Sequence, residues 1–248
     1  RRYCHLGTGN YNSVTARQYE DLGLLSADPD LGADLTDLFN FLTGYSRRST
    51  YRRLVLAPMS VRSRIIDLIR AEAAAGAAGR VVMKLNGLDD TAVVDALYEA
   101  SAAGVPIDLV IRGICVLRPG VPGLSDNIRV RSIVGRFLEH SRILAFGGVE
   151  DGPRRVLIGS SDMRGRNLDR RVEALVPIED PELAERLVEV LELNLADDTN
   201  SWELGPDGTW SRVPTTRGFS VQRRLQELAM ERARRRREPD SLAATRRA

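Results

Sequence analysis

The sequence is poor in residues that mark several specialised protein classes. Its 248 residues include two cysteines, two histidines and a single lysine, Lys84. Cys4 and Cys115 lie far apart and show no zinc-ligand spacing, so we interpret both as free thiols in a reducing cytoplasm. Whether the protein also attaches peripherally to the inner membrane is left open. No apolar run is long enough to cross a bilayer.

The basic residues are almost all arginine. The net charge is only +2, yet from residue 221 to the end nine arginines stand against four acidic residues. The planar arginine fork bonds oxyanions in pairs, so this composition suits phosphate ligands. An apolar fraction of 43% is typical of a globular protein with a hydrophobic core. The chain begins with Arg1, close to an apparent motif, and we expect it to be part of a longer protein.

The hydrophobic pattern predicts an α/β fold with a mixed sheet sandwiched by helices. We expect residues 1–50 to end one domain, with a helix around Asp34–Leu42 and a polar, basic boundary at Ser46–Arg53. Residues 51–215 would form a second domain, and 216–248 a basic helix and tail. Strands are predicted near 54–57, 81–85, 107–112, 128–134, 142–147, 155–159 and 171–176. Helices are predicted at about 60–78, 91–104, 181–195 and 218–237, with Ser60 capping the first of these and Asp90 or Thr91 opening the second.

The first candidate site combines a histidine, an arginine and a small-residue turn. His140 and Arg142 are two residues apart on a predicted strand, so both side chains point to one face. Gly159, Ser160 and Ser161 end a neighbouring strand and would present hydroxyl and N–H groups to an anion. We therefore predict a phosphate cradle holding an imidazole, which can act as a nucleophile or a general acid near neutral pH.

A second turn resembles the first and consists of Gly7, Thr8, Gly9 and Asn10. The pair suggests two half-sites that face each other. His140 precedes Gly159 by 19 residues, so the matching histidine should precede Gly7 by about as much, upstream of Arg1. His5 is too close to the turn for that role, and we interpret it as a strand residue.

These motifs closely resemble those of polyphosphate kinases of the first type. The resemblance runs in register from Tyr3 to about Asp198. It is carried by YCHLGTGN at Tyr3–Asn10, TARQY at Thr15–Tyr19, SDNIR at Ser125–Arg129, LEHSR at Leu138–Arg142 and GSSDMRGRNLDR at Gly159–Arg170. Family members have four domains, the last two phospholipase-D-like. The resemblance implies that this chain is the tail of the third domain and all of the fourth.

The family transfers the terminal phosphate of ATP to inorganic polyphosphate, reversibly, through a phosphohistidine. By resemblance, His140 is the second active-site histidine and also an ATP-binding residue. Tyr19 matches an aromatic that contacts the nucleotide, and Arg112 matches an ATP-phosphate ligand. The phosphorylated histidine and the residues near Mg²⁺ would lie upstream of Arg1, so we expect no metal site here. We also expect ATP or ADP and polyphosphate as ligands, no nucleic acid, and a homo-oligomeric full-length protein.

Two alternatives stay open. One is a phospholipase-D-type phosphodiesterase, although Arg142 stands where that superfamily usually has lysine. The other is a non-catalytic fragment that binds polyanions through arginine. Seven further arginines could line a polyanion path or form a solvated surface: Arg129, Arg131, Arg136, Arg164, Arg166, Arg170 and Arg171.

Overall fold

The computed structural model describes residues 1–45, 50–148 and 154–245. Half of the predicted boundary at Ser46–Arg53, residues 46–49, therefore falls outside the described residues. The strands are β1 (Cys4–Gly7), β2 (Tyr19–Glu20), β3 (Gly23–Ser26), β4 (Val55–Ala57), β5 (Val81–Leu85), β6 (Ile107–Ile111), β7 (Ile128–Ile133), β8 (Leu138–Glu139), β9 (Arg142–Phe146), β10 (Arg155–Gly159), β11 (Glu173–Ile178), β12 (Ser201–Leu204) and β13 (Trp210–Arg212). The α-helices are α1 (Pro29–Leu42), α2 (Val61–Ala75), α3 (Thr91–Ala102), α4 (Gly165–Arg170), α5 (Pro181–Ala196) and α6 (Val221–Thr245).

A nine-stranded mixed sheet organises the molecule. Its strand order is β13-β12-β7-β6-β5-β9-β10-β11-β4. Strands β5, β6 and β7 run parallel, and every other neighbouring pair is antiparallel. Two small sheets, β1 with β3 and β2 with β8, lie outside it. The α/β fold with a mixed sheet is confirmed, whereas the β12–β13 hairpin was not predicted.

The core lies on both faces of this sheet. On one face, side chains such as those of Met83 and Leu144 pack against α2 and α3 in one apolar cluster. Val82 and Ile143 point the other way, into a second cluster that includes α5 and part of α1. Because side chains alternate along a strand, a sheet covered on both faces needs continuous apolar runs, as in the fully buried β5.

Aspartates begin three of the helices. The carboxylates of Asp28, Asp90 and Asp180 each accept the backbone N–H three residues later, at 2.8, 3.1 and 3.0 Å. Such caps each contribute about 1 kcal/mol. Ser60 precedes α2 as expected but does not cap it, because its hydroxyl instead bonds the backbone of Leu56. Among the described residues, no helix is both long and apolar enough to span a membrane.

Candidate functional site

A polar cavity of about 380 Å³ brings together both predicted turns and the central histidine. From the predicted site residues, those that line it are Thr8, Gly9, Asn10, Arg112, His140, Arg142 and Ser160. Five arginines and two carboxylates are among its lining residues, so those groups carry a net charge of +3 (5 − 2). The two segments on either side of the predicted domain boundary thus contribute to one anion-attracting site.

His140 is held at the cavity by a carboxylate that sequence reasoning missed. Its Nδ1 lies 3.0 Å from Oδ1 of Asp21, and only 11% of the imidazole side chain is exposed. Since a carboxylate can only accept, the nitrogen facing Asp21 carries the proton. The Tyr19 ring packs against the imidazole, with centroids 4.9 Å apart. Tyr19 does not line the cavity itself; it lines a separate apolar groove beside α5 and α6.

Arg142 does not have the free fork that the sequence suggested. Its Nε and Nη2 bond the two carboxylate oxygens of Asp162, at 3.2 and 3.0 Å. Its Nη1 donates to the carbonyls of Thr8 and His140. The side chain is 6% exposed. A buried guanidinium must satisfy its donors within the protein, so Arg142 ties the two turns together, and its bidentate face is closed to a phosphate.

The two turns are copies of one hydrogen-bonded unit. Thr8 Oγ1 donates to Asp21 at 2.7 Å and accepts from Leu22 N–H at 2.9 Å. Ser160 Oγ likewise donates to Glu173 at 2.5 Å and accepts from Ala174 N–H at 3.2 Å. The backbone N–H groups of Thr8 and Ser160 bond the carbonyls of Leu22 and Ala174. Each turn therefore presents one carboxylate through a hydroxyl.

The structural repeat extends well beyond the two turns. Gly7 pairs with Gly23 as Gly159 pairs with Leu175, and both registers are shifted by the same 152 residues (159 − 7 = 152; 175 − 23 = 152). The capping aspartates Asp28 and Asp180 differ by the same number. Strand, turn, strand and helix in residues 4–42 thus recur in residues 155–196. Equal spacing from glycine to carboxylate was the sequence signal that could have identified Asp21.

Glu173 occupies in the second copy the place of Asp21 in the first. Its carboxylate accepts from Ser160 and from Nδ2 of Asn167, at 2.7 Å in the latter case. Neither histidine reaches it: His140 bonds Asp21, and His5 bonds Tyr11. Asp21 holds an imidazole, whereas Glu173 holds none in the described residues. The cavity is therefore built as two unequal halves.

Three predicted cradle residues lie outside the cavity lining. Gly7 sits in β1 opposite Gly23. A Cβ on Gly159 would lie 1.9 Å from the carbonyl oxygen of Ala174, so strand packing requires this glycine. Ser161 is fully buried, and its hydroxyl bonds the Asp162 carbonyl. The Ser160 N–H is likewise used within the sheet, so this turn offers fewer free donors than expected.

The seven candidate path arginines separate into two groups. Arg164, Arg166 and Arg171 line the cavity beside Arg112, and Arg170 does not. The remaining three have partners elsewhere: Arg129 pairs with Asp108, Arg131 pairs with Glu203, and Arg136 lies over the Phe137 ring. The distinction could not be read from sequence, because arginines occur throughout the chain.

A buried ionic cluster lies directly behind the histidine. Nζ of the buried Lys84 is 2.7 Å from Glu20 and 2.9 Å from Glu139, and 2.6 Å from Oγ of Ser141. Burial alone would lower the pKa of Lys84, but the two carboxylates outweigh it and raise that pKa. Burial opposes ionisation of Glu20, yet Lys84 holds the pKa of Glu20 below its usual value. Burial raises the pKa of Glu139.

The cavity lining contains two carboxylates, those of Asp162 and Glu173. Among the residues that the structure describes, no group of three or more histidine, cysteine or acidic side chains could hold an ion. Asp162 is closed on Arg142 and on the N–H groups of Asn86 and Gly87. Mg²⁺ binds through carboxylate oxygens, and Glu173 is the one other carboxylate in the lining. We therefore assign no step to a metal held by this chain.

Comparison with known proteins gives a consistent picture. A family model described as "Polyphosphate kinase C-terminal domain 2" matches residues 54–224, and "Polyphosphate kinase C-terminal domain 1" matches residues 1–48. The polyphosphate kinase of Streptomyces coelicolor is 57% identical over 96% of this chain and 32% of its own length. That of Mycobacterium tuberculosis is 56% identical over 94% of this chain and 32% of its length.

A solved structure supports the same family. The crystal structure of polyphosphate kinase from Porphyromonas gingivalis superposes with a TM-score of 0.87 at 35% identity, covering 93% of this chain and 36% of that one. This chain thus spans about a third of the length of the relatives it matches. On the family models, the sequence identities and the superposition, the chain belongs to the polyphosphate kinase family.

Proposed function

We propose that this chain supplies half of an active site that transfers the terminal phosphate of ATP, reversibly, to inorganic polyphosphate through a phosphohistidine. The observation that carries the proposal is the unequal pair of half-sites, Asp21 with His140 and Glu173 without an imidazole. The nucleophilic imidazole would come from outside this chain and lie against Glu173. Residues 1–50 would then close one phospholipase-D-like unit, and residues 51–215 would form the next.

His140 is suited to act as a general acid toward the nucleotide. Nδ1 of His140 faces Asp21, and Nε2 lies 3.1 Å from Nη1 of Arg142. Nε2 is the nitrogen that would act on a ligand. As the nucleophilic nitrogen bonds the terminal phosphorus, the bond from phosphorus to the ADP oxygen breaks. Imidazolium Nε2–H donates its proton to that leaving oxygen, and the neutral ring takes a proton back when the reaction reverses. A positioned acid of this kind contributes about 10²–10⁴ in rate.

The arginines would bind and align the phosphate chain. Arg112, Arg164, Arg166 and Arg171 surround the same cavity, and preorganised cations aimed at a transferring phosphoryl group stabilise its charge. Arg112 and Tyr19 are proposed nucleotide contacts. ATP or ADP with Mg²⁺, polyphosphate, a homo-oligomeric state and a cytoplasmic location remain part of the proposal.

Radiolabelled ATP tests this function. The chain alone should form no acid-labile phosphohistidine on His140 or His5, and adding the upstream segment of the same protein in trans should restore transfer to polyphosphate. Labelling of His140 or His5 would contradict the proposal. Hydrolysis of a simple phosphodiester would instead support the phosphodiesterase alternative, which the matched relatives do not favour.

Phosphate binding can be tested on this chain with two neighbouring arginines. Arg166 lines the cavity and Arg170, on the same short helix, does not. Arg166→Ala should weaken tripolyphosphate binding about 10-fold in calorimetry, as expected for one charge-assisted hydrogen bond. Arg170→Ala removes the same charge and should change affinity little. Equal losses of affinity in both variants would mean that tripolyphosphate binds through general charge attraction and not through this cavity.

A further inference from the structure

The single lysine of the chain sits at the centre of the sheet, beneath the proposed acid. Lys84 lies in β5, between β6 and β9, and is 1% exposed. Moving an ammonium group out of water is costly unless partners compensate. Its partners Glu20 and Glu139 come from β2 and β8, a parallel pair only two residues long.

The geometry of that short pair links the lysine to the site. Residues alternate in direction along a strand, so Glu20 and its neighbour Asp21 point to opposite sides. Glu139 and His140 do the same. The two glutamates therefore converge inward on Lys84, while Asp21 and His140 meet on the outer side. The Lys84 ammonium group therefore sets the distance between residues 19–21 and residues 138–140, which form the Asp21–His140 contact.

Other contacts join the same two segments. Backbone hydrogen bonds run from Leu138 N–H to the Gln18 carbonyl and from His140 N–H to the Glu20 carbonyl, at 2.8 and 3.2 Å, and the Tyr19 ring packs against the imidazole. Ser141 adds a side-chain bond to Glu20, at 2.7 Å. Without the lysine, two buried carboxylates would face each other across this pair, and like charges directly opposite are destabilising. The Asp21–His140 contact therefore depends on the charge balance beneath it.

We propose that Lys84 is a positioning residue: by bridging Glu20 and Glu139 it holds Asp21 against Nδ1 of His140 and fixes the tautomer in which Nδ1 carries the proton. Its importance for phosphoryl transfer rests on the function proposed above. Its effect on the imidazole does not, because the tautomer is a property of the chain without substrate. The same cluster explains why lysine, rather than arginine, stands here: three acceptors surround one compact ammonium group.

The tautomer can be measured directly. Nitrogen-15 NMR at about pH 9, above the ordinary titration range of imidazole, distinguishes Nδ1–H from Nε2–H. His140 should show the Nδ1–H form, and Asp21→Asn supplies the reference for an imidazole that has lost its carboxylate. Lys84→Met keeps the length and burial of the side chain but removes its charge. It should shift the His140 signals most of the way to that reference, while His5 serves as an internal standard.

Two further variants separate positioning from general stability. Lys84→Met/Glu20→Gln removes the carboxylate repulsion and should restore the wild-type His140 signals. Asp108→Asn removes a different buried charge. Asp108 lies in β6 and pairs with Arg80 and Arg129, so this variant should leave the His140 signals unchanged. A folded Lys84→Met chain with wild-type His140 signals would overturn the proposal. If that variant does not fold, Lys84→Gln takes its place, because it also removes the charge but can still hydrogen-bond the carboxylates: His140 signals moved toward the Asp21→Asn reference support the proposal, and wild-type signals overturn it.

Discussion

The two copies of the strand–turn–helix unit use the same scaffold but end in different chemistry. In residues 4–42 the turn hydroxyl of Thr8 presents Asp21, and Asp21 holds His140. In residues 155–196 the hydroxyl of Ser160 presents Glu173, which meets no imidazole in the described part of the chain. Both copies place a carboxylate at the same position, but the hydrogen-bond partners of the two carboxylates differ. In the proposed function, the imidazole for the second half comes from outside this chain.

The largest expected effect comes from removing the imidazole of the first half. In a full-length enzyme carrying this sequence, His140→Ala should lower turnover about 10²–10⁴-fold, because the leaving oxygen loses its proton donor. Steady-state kinetics and thermal melting on the same variant check this.

The matched control is His5→Ala. His5 bonds Tyr11 and does not line the cavity, so its loss should leave turnover close to normal. Near-normal turnover in His140→Ala, together with a lowered melting temperature, would make His140 a packing residue and remove it from the site.

The two carboxylates offer the sharpest test of equivalence. Asp21→Asn and Glu173→Gln should each lower turnover of the full-length enzyme on the order of 10²-fold, because each leaves an imidazole poorly oriented. Both replacements keep the shape of the side chain and can still bond the turn hydroxyl. Comparable losses would sharpen the comparison. Normal turnover in Glu173→Gln would contradict the equivalence of the two carboxylates and leave the repeat as a feature of folding alone.

Arg142 joins the two copies, so its effect should appear mainly in stability. Arg142→Lys cannot satisfy Asp162 in bidentate fashion together with the Thr8 and His140 carbonyls. We expect a loss of about 1–3 kcal/mol in the free energy of unfolding, from buried groups left unpaired. Urea unfolding measures it. An unchanged unfolding midpoint with lowered turnover would return Arg142 to the direct phosphate role first suggested by its sequence.

The smallest effect concerns a carboxylate that follows the second copy. After α5, the Asp198 carboxylate accepts backbone N–H groups of Arg217, Phe219 and Thr216, and these bonds hold the pKa of Asp198 far below its usual value. A lowered pKa stabilises the fold above the ordinary aspartate value, near 3.9, and this stabilisation is lost as the pH falls toward the folded-state pKa. The melting temperatures of wild type and Asp198→Asn should therefore differ at about pH 6, and the difference should shrink as the pH falls from about 4 to about 2. A constant difference would exclude this linkage.

The sequence predicted the sheet well and the site in part, for physical reasons. Buried strands such as β5 and β6 are continuous apolar runs, so they stand out from any surface segment. The β12–β13 hairpin is largely exposed and carries no such signal. The turns and His140 were found from local spacing. Asp21 was missed because its contact spans 119 residues, and the pairing of Arg142 with Asp162 was not predicted because it forms only in the folded chain.

The most direct test of two matched half-sites is the environment of Glu173 in a full-length polyphosphate kinase carrying this sequence. The account predicts that an imidazole from the segment upstream of this chain lies within about 3.2 Å of the Glu173 carboxylate, at hydrogen-bond distance. That imidazole should mirror His140 on Asp21 and be the group that becomes phosphorylated. A crystal structure of the full-length enzyme with Glu173 bound to no imidazole, or with the phosphorylated histidine elsewhere, would contradict it.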